Sequence, residues 1–285
     1  MPKQKPLPVS VVIPCYNEQD NIEACLLALS VQSVKPLEII VVDNNCTDRT
    51  VAIAQRHKAI KVVKETKQGL IPARNSGMRA ARGEVIARID AESRVAPDWI
   101  ETMLKLFKDQ KTQAVTGTGY FYDAPFREAS KTVRNFFAVR LNRLILGHEM
   151  LWGSNMALHR SCWLNVHREL CTDPGIMEDL DLAAHISENF GPESIKYCAD
   201  LRADISARRA MVSLKRNYLY LRMWPRTLKR HNYFGVSLLW PVIGFLLIAG
   251  LPTAAAIRLY NQDRGRMVLS RHQWRSKTLF DRPNP

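Results

Sequence analysis

From Val9 to about Gln110, short apolar runs alternate with segments whose apolar residues recur at helical spacing. Val9–Cys15, β-branched and bounded by Pro8 and Pro14, predicts a buried strand. Asp20 or Asn21 then caps a helix to about Val31, with Leu26, Leu27 and Leu29 on its apolar face. Leu37–Val42 predicts a second strand, Thr47–His57 a helix and Ile60–Lys64 a third strand. Ile71–Ala81 predicts a helix ended by Gly83, and Glu84–Ile89 a strand. Pro97 opens a further helix to Lys108, at the first-turn position that proline favours. Strand–helix alternation with short links specifies an α/β fold: a mostly parallel sheet flanked by helices on both faces.

After Gln110 the pattern loosens. Ala114–Tyr122 predicts a strand, Arg127–Leu146 a basic amphipathic helix, and Gly153–His159 another strand. A helix is expected from Glu178 to Glu188, a strand over Ile195–Ile205, and a strongly basic helix over Met211–Arg230. There is no internal repeat or low-complexity tract.

The chain has 285 residues, 46% of them hydrophobic and 24% charged, so it is long and apolar enough to bury a sizeable core. Its net charge of +14 raises the question of a nucleic-acid partner. Residues 1–201 are nearly balanced, however, whereas residues 202–285 carry 16 basic and 3 acidic side chains. The same C-terminal third holds the long uncharged run Asn232–Ile257, flanked by Lys229, Arg230, Arg258, Arg264 and Arg266. Apolar residues between cations predict a membrane segment on an anionic lipid surface, and no nucleic acid is expected. Pro241, Gly244, Gly250 and Pro252 leave open whether that segment spans or re-enters. The aromatic, basic helix before it is expected along the membrane surface. The resulting division is a catalytic domain over 1–206, an interfacial helix over 207–231, a membrane segment over 232–257 and a basic tail over 258–285. Six cysteines show no C-x-x-C spacing, and no signal-peptide pattern precedes Val9, so free thiols and a cytoplasm-facing domain are expected.

Ligands of open α/β sheets gather at the C-terminal strand ends. There the first strand delivers Pro14-Cys15-Tyr16-Asn17-Glu18, the second Asp43-Asn44-Asn45-Cys46-Thr47-Asp48, and the fourth Asp90-Ala91-Glu92. Asp and Asn are common in turns for backbone reasons, so each alone says little. Three carboxylate-bearing strand ends on one edge say more. No G-x-G-x-x-G follows the first strand and no Walker lysine loop occurs, which argues against dinucleotide and P-loop sites.

These segments resemble the family 2 inverting glycosyltransferases. So do Ala73-Arg74-Asn75-Ser76-Gly77, Gly153-Ser154-Asn155 and Glu178-Asp179-Leu180-Asp181-Leu182, in the family's order over about residues 9–190. The resemblance implies the GT-A fold, Rossmann-like in its first half, with a nucleotide diphosphate sugar donor (most often a UDP-sugar) and a divalent cation. It implies that Pro14, Tyr16 and Glu18 line the nucleobase and ribose, that Asp43 bonds the base, and that Arg74 lies near the nucleotide. Asp90 would stand by the ribose or metal, and Glu92 on the metal. Gly153, Ser154 and Asn155 would border sugar and acceptor. Asp179, beside Glu178, would be the general base. Chemistry agrees: a hard cation, Mg or Mn, on oxygen ligands offsets charge on a leaving diphosphate, and a carboxylate at a helix start tends to stay ionised and able to accept a proton.

The chain departs from the family pattern in three places. Glu92 replaces the second Asp of Asp-x-Asp, Asn44 and Asn45 replace the acidic and glycine positions after Asp43, and Arg222-Met223-Trp224 lacks the glutamine and spacing of the processive synthases. A one-sugar transferase acting on a lipid, lipid-linked or glycan acceptor is the expected activity. A catalytically degenerate GT-A binding protein and, further off, a nucleotidyltransferase are the competing readings. The histidines show no metal-ligand spacing and are expected at the surface or in packing.

Overall fold

In the computed structural model, residues 6–123, 139–140, 142–206, 214–233, 260–261 and 266–267 are described. One eight-stranded sheet forms the centre, in the order β3-β2-β1-β4-β7-β6-β8-β5. Its strands are β1 (Val9–Cys15), β2 (Glu38–Asp43), β3 (Ile60–Lys64), β4 (Val85–Arg88), β5 (Arg94–Val95), β6 (Ala114–Thr118), β7 (Met156–His159) and β8 (Ile195–Asp204). The first four pair in parallel as the alternation predicts. The second half does not: β7 runs antiparallel between β4 and β6, and β5 antiparallel to β8, so the sheet is mixed. Antiparallel β7 is what completes the functional edge. Its first residue, Met156, lies opposite Arg88 at the end of β4, so the segment 153–155 arrives where Asp90 begins.

Eight helices are described: α1 (Ile22–Ser30), α2 (Thr50–Ala54), α3 (Leu70–Ala80), α4 (Trp99–Leu106), α5 (Asn142–Leu146), α6 (Arg160–Val166), α7 (Glu178–Phe190) and α8 (Leu214–Arg230). Every residue of β1 is buried, which explains its apolar character; its one hydroxyl, Ser10, donates to Glu38 Oε1 at 2.7 Å. On α3, an added Cβ at Gly77 would lie 2.3 Å from a Val12 methyl and 2.8 Å from one of Val42, so glycine lets this helix lie close on the sheet. Several boundaries differ from the sequence expectation for local reasons. Asn21 precedes α1 but makes no side-chain cap; its amide donates instead to Glu18 Oε2 at 2.9 Å. Helix α2 starts late because Asp48 accepts the Thr50 N–H at 2.9 Å, and the Thr47 N–H turns to Asn17 Oδ1 at 2.8 Å. Asp98 is the cap residue of α4, so Pro97 stands outside the helix rather than in its first turn. Strand β5 and helix α6 have no counterpart in the sequence reading.

One side of the end of α8 packs against the protein. Leu228 is buried with Leu146, Met150, Met177 and Leu180, and the half-buried Met223 and Trp224 pack against that cluster. Thr227 accepts the Met177 N–H at 2.9 Å, tying α8 to the start of α7. Arg222, Arg226, Lys229 and Arg230 are exposed on the same stretch. No described helix is long and apolar enough to cross a membrane. Residues 234–257 of the expected membrane segment 232–257 lie outside the described residues, as do 124–138 of the expected basic helix.

Candidate active site

Four predicted carboxylates converge at the strand ends. The buried Cys25 thiol is pushed far up by burial and then by Asp90, Glu18 and Glu92, so those three share one neighbourhood. Cys15 is raised by burial, then by Cys46, Glu18, Cys25 and Asp43. Glu18 and Asp43 thus belong to the same edge. The loops that carry them are held by side chains. Asn17 adopts a left-handed backbone (φ 55°) and accepts the Thr47 N–H. Glu18 donates its N–H to Thr50 Oγ1 at 2.7 Å. Asp43 Oδ1 accepts the Cys46 N–H at 2.8 Å, the ordinary turn role, in addition to its place at the edge. Asn44, where the family pattern is acidic, is fully buried; its amide donates to Glu65 and Lys67 carbonyls and its Oδ1 accepts the Gly69 N–H at 2.8 Å. It fastens the loop before α3, and no sequence signal announced that. Pro14 and Tyr16 are buried beside these loops.

The donors after β4 are chemically suited to a hard cation. Asp90 and Glu92 supply oxygen only, and the nearby Cys25 stays a neutral thiol because its pKa is raised. Its Sγ–H points to the Asp90 carbonyl at 3.7 Å.

Opposite this edge, the N-terminus of α7 is gripped by two buried arginines. Arg74, 1% exposed, pairs with Glu178 and stands 5.8 Å from the Trp163 ring. Its guanidinium faces the start of α7. Arg88 donates to Glu178 Oε1 at 2.5 Å and to Asp179 Oδ1 at 3.1 Å. The Gly153 N–H donates to the other Asp179 oxygen at 2.8 Å. Burial opposes the charge on Arg88, yet Glu178, Asp179 and Asp90 keep it firmly protonated. Burial also works against ionised Glu178, but Arg88 and Arg74 outweigh it and hold that carboxyl at about 2. Asp179 differs. Burial, then the adjacent Glu178 charge, lift it well above 3.8, although Arg88 pulls the other way. The expectation that the helix start keeps Asp179 readily ionised is thus overridden by a nearer like charge. With 24% of its side chain exposed, Asp179 is the open member of the pair, and Glu178, at 8%, is its closed anchor.

The segment before β7 divides its roles. Gly153 supplies the N–H to Asp179, and Ser154 accepts the Ser93 hydroxyl on its carbonyl at 3.3 Å. Asn155 is 2% exposed; it accepts the Trp99 indole N–H at 2.8 Å and donates to Thr118 and Leu201 carbonyls. Its side chain is a strut between Trp99, Thr118 and Leu201. Arg88 is the site residue that sequence reasoning missed; its signal was a single cation inside the otherwise apolar strand Val85–Arg88. An added Cβ at Gly153 would meet the Arg88 guanidinium at 2.6 Å. Gly153→Ala is therefore expected to cost about 1–3 kcal/mol in urea unfolding, the range for overpacking a filled site.

A half-parallel, half-mixed sheet with carboxylates at its strand ends and a clamped aspartate opposite them defines a domain of the GT-A type. The sequence profile described as glycosyl transferase family 2 matches residues 10–163, more than half of the chain, and the chain belongs to that family. It is 34% identical over 129 residues to the putative glycosyltransferase EpsH of Bacillus subtilis, covering 44% of this chain and 36% of that protein. To glycosyltransferase GlyG of Streptococcus pneumoniae it is 31% identical over 120 residues, 40% of each chain. The matched segment thus spans well under half the length of these relatives. Among solved structures, it is similar to the mannosyltransferase PcManGT of Pyrobaculum calidifontis in complex with GDP-Man and Mn2+, with a TM-score of 0.62, 22% identity and coverage of 90% of this chain and 75% of that one. A second is glucosyl-3-phosphoglycerate synthase of Mycobacterium tuberculosis with Mn2+, UDP and glucosyl-3-phosphoglycerate, at TM-score 0.56 and 18% identity, covering 79% of this chain and 80% of that one. At these identities the likeness shows the shared fold.

Proposed function

We propose that the protein is an inverting glycosyltransferase that moves one sugar from a nucleoside diphosphate sugar, UDP-linked in first preference, onto a lipid, lipid-linked or glycan acceptor at a membrane surface. The observation that carries this reading is Asp179: held by Arg88 and the Gly153 N–H, partly open, and raised toward the range useful to a general base. Pro14, Tyr16, Glu18 and Asp43 would receive the nucleoside. Asp90 and Glu92 would hold a divalent cation that offsets charge on the departing diphosphate. Asp179 would take the proton of the acceptor hydroxyl as its oxygen attacks the anomeric carbon from the face opposite the leaving group. Glu178, fixed as an anion by two arginines, keeps Asp179 from ionising too easily. The membrane-side acceptor, and a cytoplasm-facing catalytic domain, are supported by the basic excess of residues 202–285 and the uncharged run 232–257.

The test is a thermal-shift panel of uridine, guanosine, cytidine and thymidine diphosphate sugars with and without Mn2+ or Mg2+, run on wild type and Asp90→Ala. A metal-dependent shift with one nucleotide class, lost in the variant, is the expected result. The buried Glu92 in place of aspartate gives the degenerate reading its footing. That reading wins if no donor shifts the protein under either metal.

A further inference from the structure

Two residues beyond Asp179, helix α7 has turned through about 200°, and Asp181 points away from the strand-end cleft. Its Oδ2 accepts the Cys171 N–H at 2.8 Å, and its Oδ1 accepts Arg230 Nε–H at 3.1 Å and lies 3.0 Å from His231 Nε2. One turn on, His185 Nε2 is 3.9 Å from the same oxygen. One ligand atom from each of Asp181, His185 and His231 falls within 4.8 Å of the others. For ligands about 2 Å from a zinc ion, tetrahedral geometry separates them by about 3.3 Å, so little movement is needed.

The cluster is also rich in carboxylates. Glu188 lies 2.8 Å from His231 Nδ1 and 3.3 Å from His185 Nδ1, and Glu169 is 3.2 Å from His185 Nδ1. Three carboxylates and one guanidinium, Arg230, thus surround two imidazole rings whose centroids are 4.8 Å apart. A divalent cation there would be held by charge as well as by ligand atoms. Both ring nitrogens of His185 are buried and close no hydrogen bond among the described residues, which leaves a lone pair aimed at the centre of the cluster. An open cleft of about 390 Å3, lined by His185, Glu188, Arg230, His231 and Asn232, gives an ion access.

We propose that Asp181, His185 and His231 bind a zinc-class divalent transition-metal ion that pins the end of α8 to α7. Two imidazoles and a carboxylate suit borderline-soft metals, whereas the oxygen-only pair Asp90 and Glu92 suits Mg2+ or Mn2+. Cys171 and Arg230 hold the Asp181 carboxylate in place, as outer partners of metal ligands do. Zinc would replace the proton now shared between His231 Nε2 and Asp181, Glu188 would hold the histidines from their Nδ1 side, and water would fill the fourth position. The site lies outside the donor cleft, and its test does not depend on transferase activity.

The experiment uses the 285-residue chain stripped with a chelator. Zinc is titrated calorimetrically, the melting temperature is read with and without zinc, and Co2+ is substituted for its visible spectrum. One ion per chain, a zinc-dependent rise in melting temperature, and a cobalt spectrum without thiolate charge transfer are expected. His185→Gln and His231→Gln should each weaken zinc binding at least about tenfold, while a Glu92→Gln control keeps it. Absence of one-to-one zinc binding to the wild-type chain overturns the proposal. So does binding that both histidine variants retain, or a thiolate signature with cobalt, which would place the ion on cysteines. The wild-type titration and cobalt spectrum decide the matter even where a variant does not fold.

Discussion

Asp179→Asn is expected to lower kcat/KM about a thousandfold, within the range for removing a positioned general base, while the thermal shift given by a bound donor persists. Asparagine has the same size and keeps an oxygen for the Gly153 N–H, while the Arg88 bond to the other oxygen is lost and Arg88 keeps Glu178. The wild-type pH profile should carry an acid limb set by Asp179. Because its folded pKa is raised above 3.8, the base stays protonated at pH values where an ordinary aspartate would already be ionised. Activity should therefore rise with pH through that higher value and then level off. The stability sign is opposite: a raised carboxyl favours the fold while protonated, and the contribution is lost as pH rises through the folded value. Asp179→Asn should consequently melt no lower than wild type at neutral pH. An acid limb at the ordinary aspartate position, or one retained in the variant, would remove Asp179 from the role of base.

Arg88→Met is expected to destabilise the fold by about 3–5 kcal/mol, as breaking one side of a buried ion pair does. Glu178 would keep Arg74 but lose the guanidinium that also spans to Asp179. Arg88→Lys should recover part of the loss, since an ammonium keeps the charge but lacks the shape of the guanidinium whose Nη1 reaches both carboxylates. Urea unfolding measures both. Glu178 titrates from 4.5 in the unfolded chain to about 2 in the fold, so its pairing contributes stability above the unfolded value that disappears as pH falls toward about 2. In Arg88→Met that loss should begin at higher pH. The acid limb of activity should also move up, because Arg88 is the cation that lowers Asp179. A variant of wild-type stability and unchanged pH profile would show that Arg88 positions nothing.

The parallel half of the sheet was legible because its strands announce themselves: Val11–Ile13 and Ile39–Val42 are continuous apolar runs, and the polar residues after them mark the edge where ligands gather. The first three parts of the site, Glu18, Asp43 and Asp90, follow from that edge. Arg88 and the cluster around Asp181 did not, since each depends on partners 49 to 91 residues away. The partners of Asn155 were hidden for the same reason: its amide is satisfied by Trp99, Thr118 and Leu201, none of them near in sequence.

The sequence alone determined the α/β alternation, the carboxylate-bearing strand ends, the start of α7 at Glu178 and the concentration of positive charge after residue 201, because periodicity, turn chemistry and composition are local properties. Only the tertiary structure decided that β7 returns antiparallel to bring Gly153 to Asp179, that Arg74 and Arg88 clamp Glu178, and that Leu228 packs against the start of α7. Those outcomes depend on which distant groups meet in a low-dielectric interior, where a buried charge must find its partner and a neighbouring like charge can outweigh a helix dipole.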